Sequence, residues 1–223
     1  NNSAWSSSWG GGLAIFNSNG ELNKIYTGAN GLPPTTNYQT TCQPFPDNPF
    51  FSLPIGAVTD NADTTWVAMR STFEGKNTIV AFHNNKIVDS INFPTISCHK
   101  FTDVSIDNLG TLWLSNANSS EPTYSPDLNL NFFNHKRRIA GADQNGWGVV
   151  TTSDGLLSSS IYCVTTDLNG DIWVGTDVGI NIIFDPSQPK TNIATYTPLY
   201  QIKITAIAVD ALNNKWVATP QGV

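Results

Sequence analysis

Short runs of alternating apolar and polar residues, separated by turn-forming residues, make up most of this sequence. Residues 204–209 and 104–106 alternate in this way, which is the pattern of a strand with one buried face. Pairs such as Asn169-Gly170 follow such runs and suit tight hairpin turns, because Asn and Gly tolerate positive φ. No stretch has the apolar periodicity of a long helix. The pattern therefore predicts an all-β chain.

An Asp followed six positions later by a Trp recurs along the chain and defines an internal repeat. In each copy an alternating strand ends at the Asp, and a return strand begins near the Trp. We expect the Asp carboxylate to accept hydrogen bonds from backbone amides of the turn, and the Trp ring to cover a neighbouring sheet. The copies pair Asp60 with Trp66, Asp107 with Trp113, Asp167 with Trp173, and Asp210 with Trp216.

Two irregular copies accompany these four. Residues 139–149 begin like the others, with Asp143, but carry Val149 where the Trp belongs. The interval from Val149 to Trp173 is too short for two outer strands, so we expect either a stunted unit or residues missing from the sequence there. At the start of the chain, Trp5 begins a partial unit.

The period of the repeat predicts the architecture. One four-stranded unit, or blade, per roughly 40–50 residues is typical of a β-propeller. The sequence therefore predicts a partial β-propeller of four-stranded antiparallel blades, with four blade units and partial blades at both ends. The predicted boundaries are a partial blade at 1–33, a long loop at 34–54, blades at 55–203 and a partial blade at 204–223.

Charge narrows the possible partners. With 17 acidic and 11 basic residues the net charge is −6, which disfavours nucleic acid bound through its phosphates. No apolar run is long enough for a transmembrane helix. No leader sequence stands at the start, so we expect that a signal peptide is either removed or was never part of this segment.

The one dense basic cluster in the sequence is formed by Lys136, Arg137 and Arg138. It could bind phosphate or acidic sugar, or it could be a solvated strand end or inter-blade loop.

The residue pattern gives little support for a catalytic site or a metal site. Cys42, Cys98 and Cys163 have no Cys-x-x-Cys spacing, so neither a zinc site nor another cofactor is predicted. Cys163 stands in an apolar run and is interpreted as a core residue, with one disulfide and a free thiol as the alternative. The repeated Asp residues precede turns, and no histidine has a spacing that pairs it with a nucleophile. We therefore expect no catalytic residues and no enzyme, with a propeller polysaccharide lyase as the enzyme alternative.

The repeats resemble a known family. Residues 167–179 are close to the consensus of the two-component-regulator propeller repeat, and residues 5–16 resemble it as well. Two families in Bacteroidota carry such repeats: the periplasmic sensor region of hybrid two-component kinases, and PorZ, a surface protein of the type IX secretion system. Residues 161–180 and 204–218 look more like the PorZ family, particularly the run Asn214-Lys215-Trp216.

The resemblance to PorZ implies a cell-surface binding and scaffold propeller, associated with the outer membrane of a Bacteroidota bacterium. Its partners would be outer-membrane or surface proteins of a secretion attachment complex that handles anionic lipopolysaccharide. The resemblance to the sensor kinases implies instead a periplasmic domain that senses a ligand. Segments 34–50 and 117–131 depart most from the repeat, so we expect partner contacts there, because binding residues concentrate on loops.

Overall fold

The structure is a computed structural model that describes residues 3–8, 10–33, 36–37, 43–44, 52–70, 78–93, 101–117, 129–134, 136 and 139–223. The described chain consists mainly of antiparallel β-sheets, several of them four-stranded. The predicted all-β class with four-stranded antiparallel blades is therefore confirmed. Most of the predicted loop 34–54 and most of segment 117–131 lie outside the described residues.

The chain forms two compact units, residues 1–101 with 121–126 and residues 102–120 with 127–223. In the first unit, Phe82 packs edge-to-face against Trp5 and Tyr26, with ring centroids 5.2 and 5.1 Å apart. The buried side chains of this unit thus join its three-stranded sheet to its four-stranded sheet. Its strands are β1 (Ala4–Ser8), β2 (Gly12–Phe16), β3 (Leu22–Tyr26), β4 (Thr36–Asn37), β5 (Gln43–Pro44), β6 (Pro54–Thr59), β7 (Thr64–Met69), β8 (Ile79–His83) and β9 (Lys86–Ile91).

The second unit holds two four-stranded sheets and a two-stranded sheet, and β10 begins at its boundary. Two short 3-10 turns, Thr152–Asp154 and Thr197–Leu199, lie in its connections. Its main core is an apolar cluster that includes Trp113 from one sheet and Ile183 from the next. The strands are β10 (Phe101–Ile106), β11 (Leu112–Asn116), β12 (Leu130–Phe133), β13 (Trp147–Val150), β14 (Ile161–Thr166), β15 (Ile172–Thr176), β16 (Gly179–Ile183), β17 (Ile193–Thr195), β18 (Ala206–Val209) and β19 (Lys215–Ala218).

The repeated Trp residues occupy equivalent strands. Trp66, Trp113, Trp173 and Trp216 each lie on the second strand of their sheet, β7, β11, β15 and β19. Trp173 is paired with Ile182 of the third strand. Trp5 has the same relation to Ile15, so β1 corresponds to a second strand.

The exposed fraction of these Trp rings differs between copies of the repeat, because it depends on the elements that pack on each ring. Trp113 is fully buried and Trp66 nearly so, whereas Trp216 is 59% exposed. The repeat predicts that all four rings are mostly buried, and this expectation is wrong for Trp216. In the described chain β19 pairs fully only with β18, so no third strand covers the Trp216 ring.

The degenerate copy at 139–149 does not begin a blade of its own. Residues 147–150 form β13, the fourth strand of its sheet, in which Val149 pairs with Asn131. Asp143 does cap a turn, accepting hydrogen bonds from the amides of Asn145 (2.8 Å) and Trp147 (3.0 Å), but this turn joins a third strand to a fourth. The described residues therefore contain three four-stranded sheets where four blade units were predicted. The short interval before Trp173 needs no missing residues.

Candidate functional site

In the four Asp residues that precede a Trp by six positions, both carboxylate oxygens accept hydrogen bonds within their own hairpin. Asp107 Oδ1 accepts hydrogen bonds from the amides of Leu109 and Thr111, both at 2.8 Å. Its Oδ2 accepts the indole N–H of Trp113 at 3.0 Å. The six-residue spacing therefore reflects a hydrogen-bonded arrangement, here called the clasp. In it the Asp side chain closes the turn and also holds the Trp ring of the return strand.

The same clasp recurs in the other hairpins. The indole-to-carboxylate distances are 3.0 Å for Trp66 to Asp60, 3.2 Å for Trp173 to Asp167 and 3.1 Å for Trp216 to Asp210. Hydrogen bonds from the side chain and backbone of Asn214, and then from Trp216, lower the pKa of Asp210 to about 2. Burial raises the pKa of Asp167, but hydrogen bonds from Lys215, Asp171, Trp173 and Asn169 outweigh it and lower the pKa.

Lys215 connects two neighbouring sheets of the second unit. Its Nζ lies 2.7 Å from Asp167 Oδ2 and 5.1 Å from the centroid of the Trp173 ring. The adjacent Asn213 Oδ1 accepts the amide N–H of Leu168 at 2.9 Å. These contacts join the β18–β19 hairpin to the β14–β15 hairpin. The run Asn214-Lys215-Trp216 gives no indication of this role by its spacing, because the partners of Lys215 lie in another hairpin.

A polar seam, formed by Thr102, Asp103 and Ser105 of β10 against β14, joins the β10–β13 sheet to the β14–β17 sheet. Thr102 Oγ1 donates to the Ile161 carbonyl at 3.1 Å, and Asp103 Oδ2 accepts the Val164 amide at 3.1 Å. The hydroxyls of Ser105 and Thr166 are 2.9 Å apart. Burial raises the pKa of Asp103 against the lowering effect of its backbone hydrogen bonds.

Cys163 lies beside this seam as a buried free thiol. It packs with Ile180, Ile182 and Ile204, which confirms its interpretation as a core residue. Burial, and then the charge of Asp103, raise the pKa of its thiol to about 12. Cys42 and Cys98 lie outside the described residues.

The predicted basic cluster is only partly within the described residues. Lys136 is exposed, and its amide donates to Asn134 Oδ1 at 3.0 Å. Asn134 is buried and donates to the Leu109 carbonyl at 3.1 Å, so Lys136 follows a fixed point near the turn between β10 and β11. Arg137 and Arg138 lie outside the described residues.

A further cation, Lys190, lies against the loop that follows Lys136. The amide of Ala140 donates to the Ser187 carbonyl at 3.1 Å, which holds the loop after Lys136 against the β16–β17 loop. That loop carries Lys190, whose Cε lies 2.9 Å from the place a Cβ on Gly141 would take. Nothing in the sequence links Lys190 to the basic cluster, because the contact depends on the packing of two sheets.

An open cleft of about 900 Å³ lies beside β19. Trp173 and Tyr196 form one side of it, with ring centroids 5.7 Å apart. Leu199, Ile202 and Val217 make the rest largely apolar. This cleft was not predicted from the sequence.

Metal and membrane features are absent from the described residues. They contain no group of three or more His, Cys, Asp or Glu side chains placed to hold a metal ion. Within the same residues, no helix has the length and apolar character needed to cross a membrane.

No protein-family profile matches the chain, and no curated protein matches it. Among solved structures it is similar to PorZ, a surface component of the type IX secretion system of Porphyromonas gingivalis, with 19% identity and a TM-score of 0.63 over 98% of this chain. It is also similar to the extracellular domain of a hybrid two-component system of B. thetaiotaomicron, with 17% identity and a TM-score of 0.60 over 97% of this chain. The chain spans only 30% and 25% of those proteins. At these identities the likeness shows the fold alone, a PorZ-like β-propeller fold.

Enzymes of similar fold correct one expectation from the sequence. Virginiamycin B lyase from Staphylococcus aureus matches 76% of this chain and half of its own length, with 18% identity and a TM-score of 0.52. A gluconolactonase from Xanthomonas campestris matches 97% of this chain and 65% of its own, with 9% identity and a TM-score of 0.55. The expectation from the repeat pattern that the chain is not an enzyme is therefore contradicted, because enzymes share this propeller fold. These likenesses assign no reaction to this chain.

Proposed function

We propose that this chain is a propeller segment of a cell-surface or extracellular binding protein. The blades would serve as a rigid frame, and the loops at their ends would contact the partner. The observation that carries the proposal is that PorZ and the extracellular domain of a two-component system, one a surface component and the other extracellular, each match nearly the whole chain.

The PorZ-type form of the proposal names the partners. The propeller would dock to outer-membrane or surface proteins of a type IX secretion attachment complex, on the outer membrane of a Bacteroidota bacterium. Segments 34–50 and 117–131, which depart most from the repeat, would supply the protein contacts. The run Asn214-Lys215-Trp216 supports this form, since it resembles the PorZ repeats.

Anionic lipopolysaccharide would bind near Lys136, Arg137 and Arg138. The exposure of Lys136 and the packing of the loop after it against the loop that carries Lys190 support a local concentration of cations there. A chain of net charge −6 repels an anionic glycan elsewhere. Binding of this kind is local and is weakened by salt.

Capture from outer membranes tests the proposal. The tagged chain is incubated with detergent-solubilised outer membranes of a Bacteroidota species, and captured proteins are identified by mass spectrometry. The wild-type chain and a Lys136/Arg137/Arg138→Ala variant should both recover the same outer-membrane proteins, because protein contacts lie elsewhere. Binding of purified anionic lipopolysaccharide at low salt should fall at least about tenfold in the variant, a loss of about 1.4 kcal/mol.

The matched control removes the same amount of positive charge from other positions of the chain. A Lys24/Lys86/Lys203→Ala variant loses three cations outside the basic cluster and should bind lipopolysaccharide as the wild type does. Equal loss in both variants would mean that net charge, not a site, governs binding. Recovery of no outer-membrane protein, together with tight capture of a free small sugar, would favour the alternative function of a periplasmic ligand sensor.

A further inference from the structure

The loop between β16 and β17 holds the backbone of Lys190 in place through its own hydrogen bonds. The amide of Phe184 donates to the Asn192 carbonyl at 3.2 Å and closes the loop at its base. The amide of Thr191 donates to the Gln188 carbonyl at 3.1 Å, so Lys190 lies inside a hydrogen-bonded turn. Little backbone freedom has to be lost when a ligand binds to a residue that is held in this way.

The side chain of Lys190 lies across Gly141, which belongs to the loop between β12 and β13. Its Cε and Cδ lie 2.9 and 3.3 Å from the place a Cβ on Gly141 would take, and its Nζ lies 3.6 Å from it. Gly141 has a φ of 84°, a left-handed conformation that favours glycine. Glycine is therefore needed at this position by the turn and also by the lysine stem that lies on it.

Lys190 is half-buried, and within the described residues its ammonium has no ion-pair partner. Lys215, which is also half-buried, pairs with Asp167 at 2.7 Å. Asp185, in the same loop as Lys190, instead accepts hydrogen bonds from the amide and hydroxyl of Ser187, at 3.0 and 2.6 Å. A cation that has lost part of its hydration and has no counter-charge attracts an anion more strongly than a fully solvated cation does.

The β12–β13 loop and the β16–β17 loop meet, although they belong to neighbouring sheets. The amide of Ala140 in the first loop donates to the Ser187 carbonyl in the second at 3.1 Å. Lys136 also stands in the first loop, and five peptide links separate it from Gly141, a span of at most about 18 Å. Lys136 and Lys190 are therefore both within reach of one extended ligand.

We propose that Lys190 binds an acidic group of a glycan that lies across the β12–β13 and β16–β17 loops. The inference rests on the proposed binding of an anionic glycan near Lys136. The Lys190 ammonium donates to a phosphate or carboxylate oxygen of one sugar, while Lys136 binds an acidic group further along the chain. Gly141 is a positioning residue, because its lack of a side chain leaves room for the lysine stem.

A charge variant tests the role of Lys190 in the whole chain. The probe is the lipid-free polysaccharide of a purified anionic lipopolysaccharide, titrated calorimetrically at low salt. Lys190→Gln keeps a stem that can lie on Gly141 but removes the charge, so affinity should fall at least about fivefold, because a charge-assisted hydrogen bond is lost. The difference should shrink as salt is added. Lys203→Gln removes the same charge from a lysine that lies over the Tyr162 ring and should bind as the wild type does.

A second pair of variants leaves the net charge unchanged. In Gly141→Ala the added Cβ displaces the stem of Lys190, so affinity should fall although no charge is lost. Gly20→Ala is the matched control, because Gly20 has a similar φ of 80° and no atom within 4 Å of its Cβ position. It carries the same backbone strain and should bind as the wild type does. If Gly141→Ala does not fold, the comparison of Lys190→Gln with Lys203→Gln still decides.

The outcomes separate this inference from the function on which it rests. Wild-type binding that is unchanged in Lys190→Gln, or that falls equally in Lys203→Gln, would overturn the role of Lys190 and leave the proposed function intact. No binding of the polysaccharide by the wild type would contradict the proposed glycan binding itself. Inorganic phosphate should compete only in the roughly millimolar range. Displacement of the polysaccharide by far less phosphate would assign Lys190 to a free-phosphate site and overturn the inference.

Discussion

The indole N–H of Trp113 donates to Oδ2 of Asp107 at 3.0 Å, and both residues are buried. The other carboxylate oxygen accepts two turn amides. An Asn could satisfy the turn through its Oδ1, but it would then present an N–H₂ group to the indole donor. This relationship explains why Asp stands six positions before the Trp in all four hairpins that share this spacing.

The first prediction concerns this buried clasp. Asp107→Asn should lower the free energy of unfolding by about 1–3 kcal/mol, because the indole N–H of Trp113 loses its acceptor in a buried site. Urea unfolding followed by circular dichroism measures the change. In a double-mutant cycle the effect should shrink in a Trp113→Phe background, which has no indole donor. An undiminished loss there would show that the turn alone accounts for the Asp.

The second prediction compares the loss of stability when a buried Trp and an exposed Trp are each replaced by Ala. Trp113→Ala should cost about 3–5 kcal/mol, because it empties a fully buried core position. Trp216→Ala should cost much less, since that ring is 59% exposed. Denaturant midpoints of the two variants provide the comparison. Similar midpoint shifts would contradict the burial described here.

The third prediction concerns close packing behind the second strand. A Cβ on Gly175 would overlap the Sγ of Cys163 and lie 2.7 Å from Cγ2 of Ile204. Gly175→Ala should therefore destabilise the chain by about 1–3 kcal/mol through overpacking. Adding Cys163→Ala should recover part of that loss, which thermal unfolding of the single and double variants can measure. Additive effects would show that the two side chains do not meet.

The fourth prediction concerns acid stability. The pKa of Asp167 is lower in the folded chain than its ordinary value of 3.8, and that of Asp210 is about 2. A lowered carboxyl pKa stabilises the fold above about pH 4, and this contribution is lost as the pH falls through the folded pKa. The stabilising contribution of these two carboxylates should therefore decrease between about pH 4 and pH 2.

The Lys215→Met variant isolates the contribution of the ion pair between Lys215 and Asp167. It removes the ion pair at 2.7 Å, so the pKa of Asp167 should rise and stability at pH 6 should fall by about 1 kcal/mol or less. Carboxyl-carbon NMR titration and urea unfolding at several pH values give the two readouts. An unchanged pKa of Asp167 in this variant would disprove the assigned role of Lys215.

The hairpins could be predicted from the sequence because the residues whose hydrogen bonds form each turn are close together in the chain. The Asp-to-Trp spacing placed Trp66, Trp113, Trp173 and Trp216 on corresponding strands, since turn and return strand are fixed by one carboxylate. The same chemistry misassigned residues 139–149. Asp143 caps its turn in the same way, but a capped turn can join any two antiparallel strands.

Features that depend on packing between sheets could not be predicted in this way. The exposure of Trp216 depends on the strand beside β19, and the contact of Lys190 with Gly141 depends on how two loops meet. The seam of Thr102, Asp103 and Ser105 joins strands about 60 residues apart. No local pattern marks these residues, which look like ordinary polar positions of a strand.

Surface proteolysis of intact cells tests the central claim, that this propeller belongs to a cell-surface or extracellular protein. Cells of the source bacterium are treated with proteinase K, and the protein is detected with an antibody raised against residues 139–223. The account predicts cleavage in intact cells, at the rate of a known surface protein and while a periplasmic marker stays intact. Protection until both membranes are broken, with release alongside cytoplasmic markers, would contradict it.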